Sequence, residues 1–398
     1  MRVTMASPTP SRLAATTDVV VVGGGLIGCL TARALADEGL AVALVERAAR
    51  LGQESSSAAA GMLSPQMEAA EEILVTGEPA AARRRDAMLA LCLAGRDRYR
   101  DFVRALEAET GLSVHYRADG TLVVAMGEDD AEGLMARGAE QRARGLRAVW
   151  LDGPGARALE PAVAPDAVGA LHLPDDHQVD NVALVEAAVA SVGSRSRIAV
   201  HGGTASRGLV IEGKRVAGVR VEGGRIDAAR VVLAAGAWTA SIEGLPERVP
   251  IRPVKGQMVA LRPGDMLLGR TVGGRGVYCV PRDDGRVIVG ATVEEAGFDK
   301  AVDRAAIERL LEAAARVVPA LAGAPVHSRW AGLRPGTADD LPVLGPDPEL
   351  DGLVWATGHY RNGILLAPLT ADLVAALLLG RPLPVDLAAF APGRSLES

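Results

Sequence analysis

Gly23, Gly25 and Gly28 stand in the order G-x-G-x-x-G, behind the apolar run Val19–Val22 and ahead of a helical pattern. That spacing suits one kind of chemistry. The first glycine permits a tight turn, the second lets backbone approach a pyrophosphate, and the third packs helix on strand. The helix start, with Leu26 and Ile27 in its first turn, offers unpaired N–H groups and a positive dipole end to phosphates. Glu46, followed by Arg47, ends the next apolar strand where a carboxylate can accept the hydroxyls of a ribose. A purely structural turn would leave that acid without a task.

A second concentration of polar groups comes late. Gly358, His359, Tyr360, Arg361, Asn362 and Gly363 form a knot between an apolar strand and an apolar helix. Such a knot needs something to face. In WAGLRPG, Arg334 lies between apolar residues and a Pro-Gly turn, so its guanidinium is expected to be buried and to want a bidentate carboxylate. The residues alone leave two sources open: an internal acid such as Asp339 or Asp340, or a ligand. The stretch HLPDDHQVD, His172 to Asp180, gathers His and Asp at no familiar metal spacing, and Asp180 reads as a helix N-cap. No metal is expected.

The elements that must position these residues follow from pattern. DVVVVGGGLIGCLTARALADEGLAVALVER reads strand, turn, helix, strand, one βαβ unit. A helix is expected from about 80 to 109 and another from about 302 to 318. RDDGR reads as a hairpin turn inside an antiparallel block. Pro368 either kinks the last apolar helix or sits near its real start. Strands of the opening type return after the antiparallel block. The expected fold is α/β (α+β): a Rossmann-type cofactor domain built from the discontinuous segments 18–85, 150–240 and 325–385. An antiparallel-sheet substrate domain takes 86–149 and 241–324, and a loose tail takes 1–17.

Bulk properties bound the function. A chain of 398 residues exceeds one ordinary core. A formal charge of −6 argues against nucleic-acid and anionic-membrane partners, and the Arg83–Arg85 run reads as a solvated helix face. Cys29, Cys92 and Cys279 are too scattered to form a disulfide framework, which points to a reduced, cytoplasmic setting. The longest apolar run, Ile364 to Leu379, is interrupted by Thr370 and Asp372, so no spanning helix is expected. A single glycine fingerprint favours FAD over NAD, and ESSSAAAGM beyond Glu46 offers hydroxyls and small residues to an extended cofactor.

GGGLIG, SSSAAAGML, VVLAAGAW, PVKGQ, WAGLRPGT and GHYRNGILLAP together resemble the FAD-dependent D-amino-acid oxidase superfamily, from about Asp18 to Leu379. Within it the chain is most similar to the glycine oxidases of thiamine biosynthesis. The resemblance implies noncovalent FAD lying along Ser55, Ser56, Ala60, Gly61 and Met62, with Gly236 of VVLAAGAW also on the cofactor. It implies flavin contacts from His359, Tyr360, Arg361, Asn362, Gly363, Ile364 and Leu365, and an adenine contact near Thr204. At the helix mouth of the knot, N–H groups would stabilise negative charge on a reduced flavin.

The resemblance further implies that Arg334 and Tyr278 take the substrate carboxylate, that Arg361 faces the amine chiefly through backbone, and that Met62 borders the substrate. The implied activity is oxidative deamination of glycine, with sarcosine or small D-amino acids, by dioxygen. Products would be the imine or 2-oxo acid, ammonia and hydrogen peroxide, with the imine supplied to thiazole synthesis. No general base is needed, and His359 reads as a cofactor contact. A cytoplasmic homo-oligomer, a homotetramer, is implied as well. Alternatives are another D-amino-acid oxidase or dehydrogenase, a sarcosine-oxidase-like enzyme, or a flavin-binding protein without turnover. No cysteine lies between Arg334 and Arg361, where sarcosine oxidases attach their flavin, and TVGGRGVY before Tyr278 is less bulky than in glycine oxidases.

Overall fold

The computed structural model describes residues 16–68, 79–246, 248, 250–266 and 268–394. Residues 1–15 of the expected tail lie outside the described residues, while Thr16 and Thr17 already open the first strand.

Two eight-stranded sheets carry the molecule. In the first, Thr16–Val22 runs parallel to Val42–Glu46 on one side and to Gly224–Leu233 on the other. Ile198–Gly202 and Leu353–Thr357 extend this parallel core outward. Val19, Val20 and Val21 are wholly buried, as an all-apolar strand covered on both faces must be. Beyond Leu353–Thr357 the sheet ends in an antiparallel strand, Val343–Pro346, and Gly224–Leu233 also folds into an antiparallel ribbon with Arg215–Val221 and Ser206–Glu212. The expected mixed fold with a parallel, dinucleotide-type sheet is therefore present.

The second sheet runs Val326–Gly336, Arg252–Leu261, Val287–Gly290, Val277–Pro281, Thr271–Gly274, Thr121–Ala125, Gly169–Leu173, Val149–Asp152. Its pairs are antiparallel apart from Thr271–Gly274 with Thr121–Ala125. The RDDGR turn closes a hairpin, with the Arg282 N–H donating to the Arg286 carbonyl at 2.8 Å and Gly285 at φ +81°. Helix Arg304–Val317 covers this sheet, setting Ile307, Leu310, Ala314 and Val317 against Val259, Leu261, Val272 and Val289.

Packing divides the chain differently from the boundaries drawn on sequence. Helix Pro79–Thr110, assigned mostly to the substrate domain, buries Leu91, Tyr99, Val103 and Leu106 in the same core as helices Leu26–Asp37 and Gly363–Leu378. The reason is its long apolar stripe, which packs on Gly363–Leu378 and on helix Asn181–Gly193. Conversely, most of Val149–Asp152 and all of Gly169–Leu173 and Val326–Gly336, assigned to the cofactor domain, hydrogen-bond into the second sheet. Strand pairing at that distance leaves no local trace in the residues themselves.

Pro368 lies inside helix Gly363–Leu378, five residues past its first. Its missing N–H leaves the Ile364 carbonyl without the usual partner. The wholly buried Tyr99 hydroxyl donates to that carbonyl instead. The helix continues through the proline because another helix completes its hydrogen bonding.

Candidate functional site

One large cavity opens between the two sheets, and its walls join the three motifs that the sequence kept far apart. At one end Gly23, Gly25, Leu26 and Ile27 line it. Gly28 does not reach the cavity; a Cβ there would lie 1.8 Å from the Gly23 carbonyl oxygen, so its task is contact between helix and turn. Gly23 sits at φ +108°, a conformation only glycine adopts freely. Both Glu46 oxygens are oriented by backbone: Oε2 accepts from the Gly24 N–H and Oε1 from the Ala48 N–H, each at 2.7 Å. The carboxylate stays on the cavity wall, held in one pose with lone pairs left for hydroxyls.

Ser56 Oγ accepts from the Leu26 N–H at 3.0 Å, which places the 55–62 segment against the helix start. Ser55 donates to the Leu333 carbonyl, and the Trp330 indole donates to the Ala58 carbonyl at 2.9 Å. The segment is thus stitched to the strand that carries Arg334. Arg282, nearly buried, donates to the Ala60 carbonyl at 2.8 Å and fixes the far side. Arg47 reaches the cavity rim, with its guanidinium 3.8 Å over the Trp238 ring.

The polar knot closes the other side. Gly358 sits at φ +73°, and a Cβ there would lie 2.9 Å from Thr337. Tyr360, at φ +47°, holds a left-handed conformation that costs a non-glycine residue roughly 1–3 kcal/mol, stored where the chain turns into the last helix. Gly363 and Ile364, in the first turn of that helix, line the cavity. His359 is 2% exposed, and its Nε2 lies 3.0 Å from the Thr370 hydroxyl. Burial pushes its imidazole down to about 3, so it is neutral near pH 7. Asn362 Oδ1 and Ser206 Oγ, both on residues of the cavity wall, are buried without a hydrogen-bond partner. Orphaned groups of this kind mark places where a bound molecule completes the hydrogen bonding.

Arg334 enters from strand Val326–Gly336 and is half-buried rather than buried. Its Nη1 donates to the Thr292 carbonyl at 3.0 Å. Among the described residues no carboxylate pairs with it: Asp339 is held bidentate by Arg394, at 2.8 and 2.9 Å. Gly256, diagonally across the strand pair, makes the room; a Cβ there would lie 2.4 Å from both terminal guanidinium nitrogens. Gly290 does the same for Tyr278, whose ring would meet its Cβ at 2.7 Å. Burial raises the Tyr278 pKa, with Arg334 pulling against it, so the phenol remains a neutral donor. Met62 borders the same space.

Residues 18–377 match the FAD dependent oxidoreductase family. The chain belongs to that family. It is 37% identical to a glycine oxidase of Pseudomonas aeruginosa, over 95% of this chain and 99% of that one. It is 36% identical to a "Bifunctional protein ThiO/ThiG" of Synechocystis sp., over 96% of this chain and 55% of that one. A crystal structure of glycine oxidase from Geobacillus kaustophilus matches with a TM-score of 0.87 at 34% identity, covering 96% of this chain and all of that one. Membership in the FAD dependent oxidoreductases makes FAD the cofactor, and the cavity fits it: a glycine turn at one end, orphaned polar atoms along the wall, a helix mouth at the other.

As a member of that family the chain places most of the residues singled out by sequence in one cavity, and three outside it. Gly28 packs, as above. Leu365 is buried in the core, pointing away from the cavity wall. Thr204 donates its N–H to the Glu46 carbonyl at 2.8 Å, while Ala205, Ser206 and Arg207 form the wall there. The loose pattern in GGTASRG gave no register to choose between neighbours.

Other wall residues gave too little signal. Trp238 sat in a quoted motif but had no assigned task, and its ring packs on Phe298 at 5.6 Å. Gly256 and Gly290 matter through residues on neighbouring strands, which a linear reading does not pair. Glu68 was missed altogether. It ends the short helix Pro65–Glu68, lines the cavity and pairs with Arg361 Nε at 2.8 Å. Its one sequence signal is its position six residues beyond Met62. The His172–Asp180 stretch braces this short helix: the buried Asp176 carboxylate accepts from the Gln66 and Met67 N–H groups at 3.2 and 3.1 Å. Asp180 caps the following helix through the Val182 and Ala183 N–H groups.

Helix 360–378 is the one described helix long and apolar enough to cross a membrane, and most of it is buried against the rest of the protein. Cys29, Cys92 and Cys279 are buried and form no disulfide.

Proposed function

We propose that this chain oxidises glycine, with sarcosine and small D-amino acids as further substrates, and passes the electrons to dioxygen. The observation that carries the reading is Arg334: a half-buried guanidinium in the cavity, given space by Gly256, with no carboxylate of the protein paired to it among the described residues. Such a group selects a ligand carboxylate. Tyr278, alongside, would donate a second hydrogen bond to the same acid. Anchored there, a small amino acid would hold its α-carbon between Met62 and the knot.

Bound FAD supplies a hydride acceptor that dioxygen restores. The protein's own part is placement. The Gly23–Gly25 turn and the start of helix Leu26–Asp37 would receive the pyrophosphate, and Glu46 the ribose. Asn362 Oδ1, Ser206 Oγ and the N–H groups of the last helix's first turn would complete contacts along the cofactor. No side chain in the cavity is a general base in this reading; His359, pushed down to about 3 by burial and engaged with the Thr370 hydroxyl, is too weakly basic for that task.

The imine product is assigned to thiazole synthesis, a reading supported by the ThiO/ThiG relative whose length this chain spans by about half. A cytoplasmic homotetramer is proposed with it, supported by the buried, unbridged cysteines only as to compartment. We also propose that the first sheet serves the cofactor and the second the substrate. The test is direct. Purified protein is expected to be yellow, to bleach with glycine under anaerobic conditions and to form peroxide in air. A colourless protein, or a yellow one inert to glycine, sarcosine and small D-amino acids, removes the assignment.

A further inference from the structure

Arg361 and Glu68 form an ion pair inside the cavity, 2.8 Å apart at Nε and Oε2, with side chains 23% and 16% exposed. They share the wall with Arg334 and Tyr278, and all three charges act on the Tyr278 phenol. The end of the cavity beside Tyr278 therefore holds two described guanidinium groups and offsets one of them. The offset is built in. Helix Pro65–Glu68 is tied at its N–H groups by Asp176, and its Gln66 carbonyl accepts from Arg137 Nη2 at 3.1 Å and from Gln141 Nε2 at 2.9 Å. The Gln66 side chain is itself held by Gln141 at 2.7 Å. This buried bracing does not reach the cofactor wall; what it delivers there is one fixed carboxylate.

We propose that Glu68 is the residue that sets substrate charge. By pairing with Arg361 it leaves Arg334, among the described residues beside Tyr278, as the cation without a carboxylate of the protein. The cavity then takes an amino acid with a single carboxylate and turns away one bearing a second acidic group, which would find Arg361 already neutralised. Glu68 acts through Arg361 and is a positioning residue. The inference rests on Arg334 as carboxylate anchor and deepens that reading.

The test compares one acid group with two. Thermal-unfolding midpoints of the FAD-loaded protein are measured with acetate and with malonate, and peroxide formation with glycine and with N-carboxymethylglycine. Wild type is expected to be protected more by acetate than by malonate. Glu68→Gln is expected to reverse that order and to raise the ratio of kcat/KM for N-carboxymethylglycine over glycine at least tenfold, chiefly through KM. Glu68→Asp should keep the wild-type order, and adding Arg361→Gln to Glu68→Gln should cancel the gain. Two results overturn the proposal: a wild type that already prefers malonate, or a folded, yellow Glu68→Gln protein whose two ratios stay within twofold of wild type. The wild-type arm decides even if the variant does not fold. Failure of the parent reading shows separately, as acetate protection that survives Arg334→Ala.

Discussion

The two ends of the cavity are built on opposite principles. At the glycine turn the wall is backbone: Gly23, Gly25 and the first helical N–H groups, contiguous in the chain. At the other end it is side chains, Arg334, Tyr278, Arg361 and Glu68, which arrive from four separate elements, the first two given room by Gly256 and Gly290. At Gly23 and Gly28 an added Cβ would run into main chain, so the turn tolerates no added atoms there. The side-chain end tolerates added atoms structurally but loses aim.

That contrast can be broken in order of expected effect. Gly28→Ala puts a Cβ 1.8 Å from a backbone oxygen, so neither partner can yield. Loss of FAD retention, read from the flavin-to-protein absorbance ratio, is expected together with poor soluble yield; a yellow, stable variant would erase the distinction. Arg334→Ala should leave the yellow colour intact and raise KM for glycine on the order of 10²–10³-fold, since an uncompensated ligand carboxylate costs a few kcal/mol. A turnover profile close to wild type would remove the carboxylate role.

Gly256→Ala is the sharper probe. Its Cβ would meet the flexible tip of Arg334, 2.4 Å away, not main chain. The melting temperature and FAD content should stay near wild type while KM rises about tenfold by displacement of the guanidinium. Tyr278→Phe removes one hydrogen-bond donor and should raise KM only a few-fold, in line with about 1 kcal/mol.

The smallest effect concerns protons. Burial lowers His359 to about 3, and burial, then Arg96, lowers His177 to about 4. Both imidazoles take up protons near 6.5 when unfolded, so between that value and the folded ones the unfolded state binds more protons. Stability present above pH 6.5 is therefore lost as pH falls toward 3. His359→Gln should flatten this slope by about one proton in denaturant titrations at pH 4.5 and 7; an unchanged slope would place the proton uptake elsewhere.

The same contrast explains what the sequence made legible. The glycine turn, the strand before it and Glu46 were readable because their partners lie within about thirty residues. The knot at 358–363 was readable as chemistry without context. Arg334 could be singled out by its neighbours, but the choice between an internal acid and a ligand waited for Asp339 to be seen with Arg394. Gly256, Gly290 and Glu68 act across strand pairs or from a braced short helix, so their roles exist only after folding. Domain boundaries are hidden for the same reason: helix Pro79–Thr110 packs on Gly363–Leu378 and strand Val326–Gly336 pairs with Arg252–Leu261, partners that no local pattern announces.

Pro368 and Tyr99 give that long-range dependence an address. One hydroxyl, from a helix of the outer layer, supplies the donor that the proline withholds from Ile364. Were it absent, a buried carbonyl would go unanswered at a cost of about 1–3 kcal/mol, and the turn left loose would be the one fronting the cavity. The outer layer thus acts as a splint: the ring-facing terminus stays straight because something that never touches the ligand braces it from behind.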